Sequence, residues 1–215
     1  TTLTAEEKAR IWGGEAPMWS ELATPTTIDT RIWPRTAAIA ERLWSNENIT
    51  DMASLRKRMN VISLQLEELG ITHIRNKEVL LRNISNNQTN TALEDFSNIC
   101  EPLKIYSRNS EGTEYKTYSP FTLFADACTP DAKDALGFDN AVTNYLKNKN
   151  SENQLLVTDY LKKWINVNTK LIELSSNAPL IQPLLPLSKS LNDLSQQLLL
   201  KIEKKQTVNP SKLND

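Results

Sequence analysis

The sequence is poor in the residue types on which several common classes of functional site depend. Glycine occurs five times in 215 residues, at positions 13, 14, 70, 112 and 137. These positions form neither the GxGxxG nor the GxxxxGK[ST] loop, which excludes Rossmann-type and P-loop nucleotide sites. One histidine and two cysteines are too few for a zinc finger or a multi-histidine metal site. We therefore expect no cofactor and no metal.

A charge of one sign and long apolar runs are also missing. The 25 basic and 26 acidic residues give a formal net charge of -1, so no general attraction to nucleic acid is expected. No apolar run approaches the ~20 residues that a membrane-spanning helix needs. The length suffices for one packed domain, or for a small domain plus part of another. The two cysteines, Cys100 and Cys128, either pair or remain thiols, and the sequence leaves this open.

The first residues predict one short helix and one strand. Thr4 and Glu7 have the spacing of a capping box, which favours a helix over residues 5–10. The apolar run from Ala9 to Trp12, ended by Gly13-Gly14, is typical of a buried strand that enters a loop. Because a single strand is not stable alone, we expect this strand to belong to an incomplete domain.

Apolar periodicity and capping residues predict a mainly α-helical chain downstream. Asp51 is a candidate cap and Gly70 a candidate stop for the second downstream helix, and Ser151 is a candidate cap for the fourth. Leu187, Leu191, Leu194, Leu198 and Ile202 are predicted to form the packed seam of the last helix. The predicted helices cover residues 34–44, 51–69, about 130–147, from 151 onward, and 187–205.

These elements predict five regions along the chain. Residues 1–45 would hold a strand, a loop and a helix, and 46–82 a helix and a connector. Residues 83–128 would hold an Asn-rich helix and an irregular aromatic segment, with a short hairpin near 109–112. Residues 129–205 would form a helical bundle, and 206–215 a frayed tail.

The most informative stretch lies between positions 13 and 45. Trp19 and Glu21 are two residues apart, so in extended chain both side chains point to the same side. An indole beside a carboxylate suits a sugar, because the ring stacks on its apolar face and the carboxylate accepts hydrogen bonds from its hydroxyls. The same pair is also typical of packing plus a surface charge, and the residues alone leave both interpretations open.

Four motifs in this stretch carry a family resemblance. In their order and spacing they resemble the last strand, loop and helix of the catalytic barrel of family 20 glycoside hydrolases, the β-N-acetylhexosaminidases. Later segments, notably Cys100-Glu101-Pro102 and Tyr118-Ser119-Pro120, are similar to the C-terminal extension of bacterial members. The four motifs are Gly13-Gly14-Glu15-Ala16, Trp19-Ser20-Glu21, Arg31-Ile32-Trp33-Pro34-Arg35 and Ala40-Glu41-Arg42-Leu43-Trp44-Ser45.

The resemblance implies a fold and a reaction for the parent enzyme. The fold is a (β/α)₈ TIM barrel, of which this chain would supply the last βα unit followed by a C-terminal helical domain. The reaction is removal of terminal β-linked N-acetylhexosamine with retention, in which the substrate's own acetamido oxygen is the nucleophile. An adjacent Asp-Glu pair on an earlier strand would orient the acetamide and act as general acid and base.

The resemblance also implies roles for individual residues. Trp19 corresponds to the indole that lines the terminal sugar's subsite, and Glu21 to the carboxylate that binds its distal hydroxyls. Trp33 and Trp44 are expected to pack. The remaining charged motif positions are expected to form structural ion pairs around the last helix: Glu15, Arg31, Arg35, Glu41 and Arg42.

No Asp-Glu dipeptide occurs in the 215 residues, and Glu94-Asp95 has the reverse order. Because loss of a general acid alone costs roughly 10²–10⁴-fold in rate, we expect this chain by itself to be inactive. The expected partners are an N-acetylhexosamine-containing oligosaccharide and the remaining part of the barrel. The segment before residue 45 is expected either to self-associate or to be left disordered. The resemblance implies an exported parent, which would be periplasmic, at the cell surface or secreted, with its signal upstream of this chain. The first residues themselves do not resemble a signal peptide.

A second interpretation remains open. The chain would then be a non-catalytic helical interaction or dimerisation module that retains a barrel remnant. It predicts an N-terminus packed within the same chain, whereas the hydrolase interpretation predicts exposed apolar side chains over residues 11–44.

Overall fold

A computed structural model describes residues 3–19, 23–102 and 122–204 of the chain. Contacts divide the chain into two compact units, unit 1 (Thr1–Arg75) and unit 2 (Asn76–Asp215). A 3₁₀ helix, Pro179–Leu184, precedes the last α-helix. The α-helices of the described residues are α1 (Ala5–Ala9), α2 (Ile28–Ile32), α3 (Arg35–Trp44), α4 (Met52–Glu68), α5 (His73–Ile84), α6 (Thr91–Ser97), α7 (Thr122–Ala127), α8 (Lys133–Lys147), α9 (Ser151–Ser175) and α10 (Leu185–Lys204).

The mainly α fold class is confirmed, since the described residues contain no β-strand. The strand expected from Ala9 to Trp12 is therefore wrong as a description of this chain. Ala9 ends α1, and Ile11 and Trp12 are exposed and outside any regular element. The physical reason is that a strand needs an edge to pair with, and none of the described residues supplies one.

Local capping explains where several helices begin and end. Thr4 and Glu7 form the predicted capping box of α1. Asp51 accepts hydrogen bonds from the amides of Ala53 and Ser54 at the start of α4, and Gly70, with φ +95°, follows its end. The predicted cap of α9 is corrected by one residue. Asn150, rather than Ser151, caps the helix by accepting from the amide of Asn153 at 2.8 Å.

Unit 2 is built around two clusters of buried apolar side chains. The first joins α5, α6, α7, the second half of α9 and the 3₁₀ helix, and within it Phe96 stacks on Phe124 at 5.2 Å. The second joins α8, α9 and α10, where Phe138 lies 4.6 Å from Trp164. Phe138, Val142 and Tyr145 pack against this second cluster.

The seam of α10 differs from the prediction. Leu191, Leu198 and Ile202 pack against the core, but Leu187 and Leu194 are exposed. Ser188 and Ser195 are buried instead, at 1% and 0% exposure. Small side chains seven residues apart allow α10 to approach α9 closely, and the Ser188 hydroxyl donates to Asn168 Oδ1 at 2.9 Å.

Three α-helices are missed by the periodicity argument. α2 lies in the predicted loop, α5 begins at His73 inside the predicted connector, and α7 lies in the segment expected to be irregular. No disulfide joins Cys100 and Cys128; the Cys128 thiol donates to the carbonyl of Phe124 at 3.3 Å.

The hairpin near 109–112, the motif that begins at Tyr118 and the tail 206–215 lie outside the described residues. Within the described residues, no helix has the length and hydropathy required to cross a bilayer.

Candidate functional site

The segment after α1 presents the first predicted site residue to solvent. Residues 11–19 have no regular secondary structure, and the side chain of Trp19 is 74% exposed. Its indole face is thus available to stack on a ligand. Glu21, its predicted partner in sugar binding, lies outside the described residues.

Three threonines at intervals of three residues order the chain that follows. The amide of Thr24 donates to Thr27 Oγ1 at 2.8 Å, and Thr30 Oγ1 donates to the carbonyl of Thr27 at 2.6 Å. Thr27 and Thr30 are 1% and 4% exposed. Side-chain hydroxyls that bond to nearby backbone groups favour turns and helix starts, and this network leads directly into α2. The spacing is visible in the sequence and was not used in the prediction.

A long-range contact holds α2 in place. Asp29 Oδ2 accepts hydrogen bonds from both the amide of Thr72, at 2.8 Å, and the hydroxyl of Thr72, at 2.9 Å. Thr72 immediately precedes α5, so the contact joins α2 to the connection between α4 and α5. Hydrogen bonds to an ionised carboxylate are among the stronger ones in proteins.

The lone histidine lies beside this contact. His73 is buried, and its Nε2 is 2.5 Å from Ser63 Oγ while its Nδ1 is 3.6 Å from Glu67 Oε1. Burial lowers the pKa of His73, although the carboxylates of Glu67 and Asp29 oppose the shift. The lone histidine is therefore an interior residue of unit 1.

The serine, histidine and carboxylate are the residue types of a nucleophilic triad, but the carboxylate already accepts hydrogen bonds from backbone amides. Glu67 Oε1 accepts hydrogen bonds from the amides of Ile74 and Arg75, at 2.6 and 3.1 Å. Those amides belong to the first turn of α5, which leaves them without partners inside the helix. The cluster of Ser63, Glu67 and His73 thus links α4 to the start of α5.

The five residues expected to form structural ion pairs have different surroundings. Glu41 forms a two-pronged pair with Arg58, with Nε to Oε2 at 2.9 Å and a second contact at 2.5 Å. The hydrogen bonds from Arg58 lower the pKa of Glu41. Arg42 donates to the backbone carbonyls of residues 46, 47 and 49, beyond the end of α3. Glu15 and Arg35 are exposed, and Arg31 is half-buried.

The two tryptophans expected to pack also differ. Trp33 is half-buried and forms a cis peptide bond with Pro34. Trp44 at the end of α3 is 94% exposed. None of the described residues covers its indole, so the packing expected for Trp44 is absent from this structure.

Comparison with known proteins relates the first residues of the chain to one protein family. Residues 1–47 match the model of the glycosyl hydrolase family 20 catalytic domain. The chain is 43% identical over 68 residues to the mouse β-hexosaminidase subunit alpha, which covers 32% of this chain and 13% of the relative. It is 42% identical over 69 residues to the chitooligosaccharidolytic β-N-acetylglucosaminidase of Ostrinia furnacalis, covering 32% of this chain and 11% of the relative.

A solved structure extends the similarity to the helices of unit 2. The chain is similar to the chitobiase of Flavobacterium johnsoniae, with 64% sequence identity and a TM-score of 0.89. The match covers 98% of this chain and 32% of the chitobiase, so the chain spans about a third of that protein's length. These matches identify the chain as a fragment of a family 20 glycoside hydrolase.

Proposed function

We propose that this chain is the sugar-binding C-terminal part of a β-N-acetylhexosaminidase. The parent enzyme hydrolyses terminal, non-reducing β-linked N-acetylhexosamine from oligosaccharides. The observation that carries the proposal is the 64% identity to the Flavobacterium johnsoniae chitobiase over nearly the whole chain. It is supported by the exposed indole of Trp19, which lies within the residues that match the catalytic-domain model.

The chemistry divides between this chain and residues outside it. The acetamido oxygen of the substrate attacks the anomeric carbon, while a general acid protonates the departing glycosidic oxygen. This chain has no Asp-Glu pair to orient the acetamide and supply that proton. Its contribution is binding: Trp19 stacks on the terminal sugar, and Glu21 accepts hydrogen bonds from the sugar's distal hydroxyls.

The apolar surface of unit 1 supports the proposal that part of the enzyme lies outside this chain. Trp12 and Trp44 are 96% and 94% exposed, and Leu43 and Ile11 are more than half exposed. Soluble proteins rarely leave clustered large apolar side chains uncovered unless another surface packs on them. We propose that the remaining part of the barrel covers these side chains, and that the parent acts outside the cytoplasm.

The first experiment measures turnover of a chromogenic N-acetyl-β-glucosaminide. The chain alone is expected to show no turnover above its own Glu21→Ala variant. The full-length protein encoded with it is expected to turn over, and Trp19→Ala and Glu21→Gln are expected to raise its KM. Turnover by the isolated chain, or an inactive full-length protein, would overturn the proposal.

An interaction module is the second candidate, and a groove in unit 2 favours it. Side chains of α6 and α10 line a groove of about 780 Å³ that includes Phe96, Leu187, Leu194 and Leu200. The three leucines are exposed. Analytical ultracentrifugation separates the candidates: a dimer that Leu194→Glu dissociates would favour the module, and a monomer would count against it.

A further inference from the structure

The chain downstream of the proposed sugar-binding residues is held by polar contacts rather than by an apolar core. α2 has five residues, and its one fully buried side chain is that of Thr30. A helix this short is marginal without tertiary contacts. Its position therefore depends on tertiary contacts, one of which Asp29 makes.

These contacts are of two kinds with different reach. The threonine network connects residues three apart and fixes the local turn before α2. The Asp29 contact to Thr72 bridges 43 positions of sequence and fixes the turn against the rest of unit 1. Only a contact of this second kind sets where the turn lies relative to α4 and α5.

The residues around Thr72 fix its position, and with it the position of its contact with Asp29. Gly70 ends α4, and the next helix begins at His73, so Thr72 lies in a short connection. His73 is fixed beside it by the contact with Ser63, and Glu67 bonds the first amides of α5. Thr72 is thus attached to two helices that are themselves joined, and it gives Asp29 two donors of fixed direction.

We propose that Asp29 and Thr72 are positioning residues for sugar binding. Their contact holds α2, and with it the described residues 23–27 that precede α2, in the position that sugar binding by Trp19 requires. Neither residue touches the substrate. The proposal rests on the proposed function, because it assigns the two residues to the same sugar site.

The test compares kinetics of full-length variants on the chromogenic N-acetyl-β-glucosaminide. Thr72→Val keeps the side-chain shape and the backbone donor but removes the hydroxyl donor to Asp29. KM is expected to rise about five- to tenfold with kcat within about twofold, as for lost uniform binding. Thr72→Ser restores the hydroxyl and is expected to restore KM. Asp29→Asn weakens the same contact from the other side and decides the question if Thr72→Val does not fold.

A matched control tests whether loss of any buried threonine hydroxyl has the same effect. Thr158 in unit 2 is 3% exposed, and its hydroxyl donates to the carbonyl of Leu155 at 3.0 Å. Thr158→Val is expected to leave KM unchanged. Wild-type KM in both Thr72→Val and Asp29→Asn, or an equal rise in Thr158→Val, overturns the positioning role while the wild-type enzyme stays active. An inactive wild-type enzyme overturns the proposed function itself.

Discussion

The two units bury different kinds of side chain. In unit 2 the buried residues are mainly apolar and form two continuous clusters across its helices. In unit 1 the buried side chains of the described residues are Thr27, Thr30 and His73, all of them polar. The comparison shows that unit 2 has a core of its own, whereas unit 1 is ordered by hydrogen bonds and leaves Trp12, Trp19 and Trp44 exposed.

This difference agrees with the family assignment. A helical unit with its own core is stabilised by apolar burial, at about 25 cal/mol per Å² removed from water. A portion of a barrel has its apolar faces directed at neighbouring barrel elements. Substitutions in each unit test this contrast.

The largest effect is expected in the core of unit 2. Leu161 on α9 is 0% exposed, whereas Leu155 on the same helix is 58% exposed. Leu161→Ala is expected to lower the free energy of unfolding by about 2–5 kcal/mol, because it removes buried methyl groups and leaves a cavity. Urea unfolding of the isolated chain measures the loss. The control Leu155→Ala is expected to change it by less than about 0.5 kcal/mol, and similar losses would refute the core assignment.

A smaller effect is expected at the contact between Gly137 on α8 and Tyr160 on α9. A Cβ at Gly137 would lie 2.1 Å from the hydroxyl oxygen of Tyr160. Gly137→Ala is expected to destabilise unit 2 by about 1 kcal/mol, because overpacking outweighs the gain in helix propensity.

Removal of the tyrosine ring should reverse the sign of that effect. In a Tyr160→Ala background, Gly137→Ala is expected to stabilise by about 0.5–1 kcal/mol, through helix propensity alone. Thermal unfolding of the four variants measures both values. An effect of the same sign in both backgrounds would show that Gly137 and Tyr160 do not meet.

The smallest effect concerns the polar interior of unit 1. Burial lowers the pKa of His73, so the unfolded chain binds a proton more readily than the folded one. Stability is therefore expected to fall as the pH drops below about 6.5, the ordinary pKa of histidine. Hydrogen exchange of the Ile74 and Arg75 amides between pH 7 and 5.5 reports this locally. His73→Gln is expected to remove this pH dependence, and an unchanged profile in the variant would exclude His73 as its source.

The sequence predicts those elements whose signals are local. α3, α4 and α10 begin and end within two residues of the predicted bounds, because caps, breakers and apolar spacing coincide there. α5 is missed because its polar first half hides the apolar spacing of Leu80, Leu81 and Ile84. The predicted seam of α10 fails at Leu187 and Leu194 because the pattern cannot show that small serines face α9.

The site also has a part that the sequence predicts and a part that only the fold brings together. Trp19 is identified by a motif within a few residues of sequence, and the structure leaves its indole accessible. The contact between Asp29 and Thr72 joins residues 43 positions apart and has no local pattern. Such a contact exists only once the turn, α4 and α5 have folded together, so no stretch of sequence displays it.

The central claim is that Glu21 binds the distal hydroxyls of a terminal sugar. The most direct measurement compares kcat/KM of the full-length enzyme for an N-acetyl-β-glucosaminide and for its 4-deoxy analogue, in wild type and in Glu21→Gln. We expect the wild-type enzyme to lose about tenfold on the analogue, equivalent to ~1.4 kcal/mol, and Glu21→Gln to lose much less. An equal loss in both enzymes would contradict the account, since the hydroxyl would then be bound by another residue.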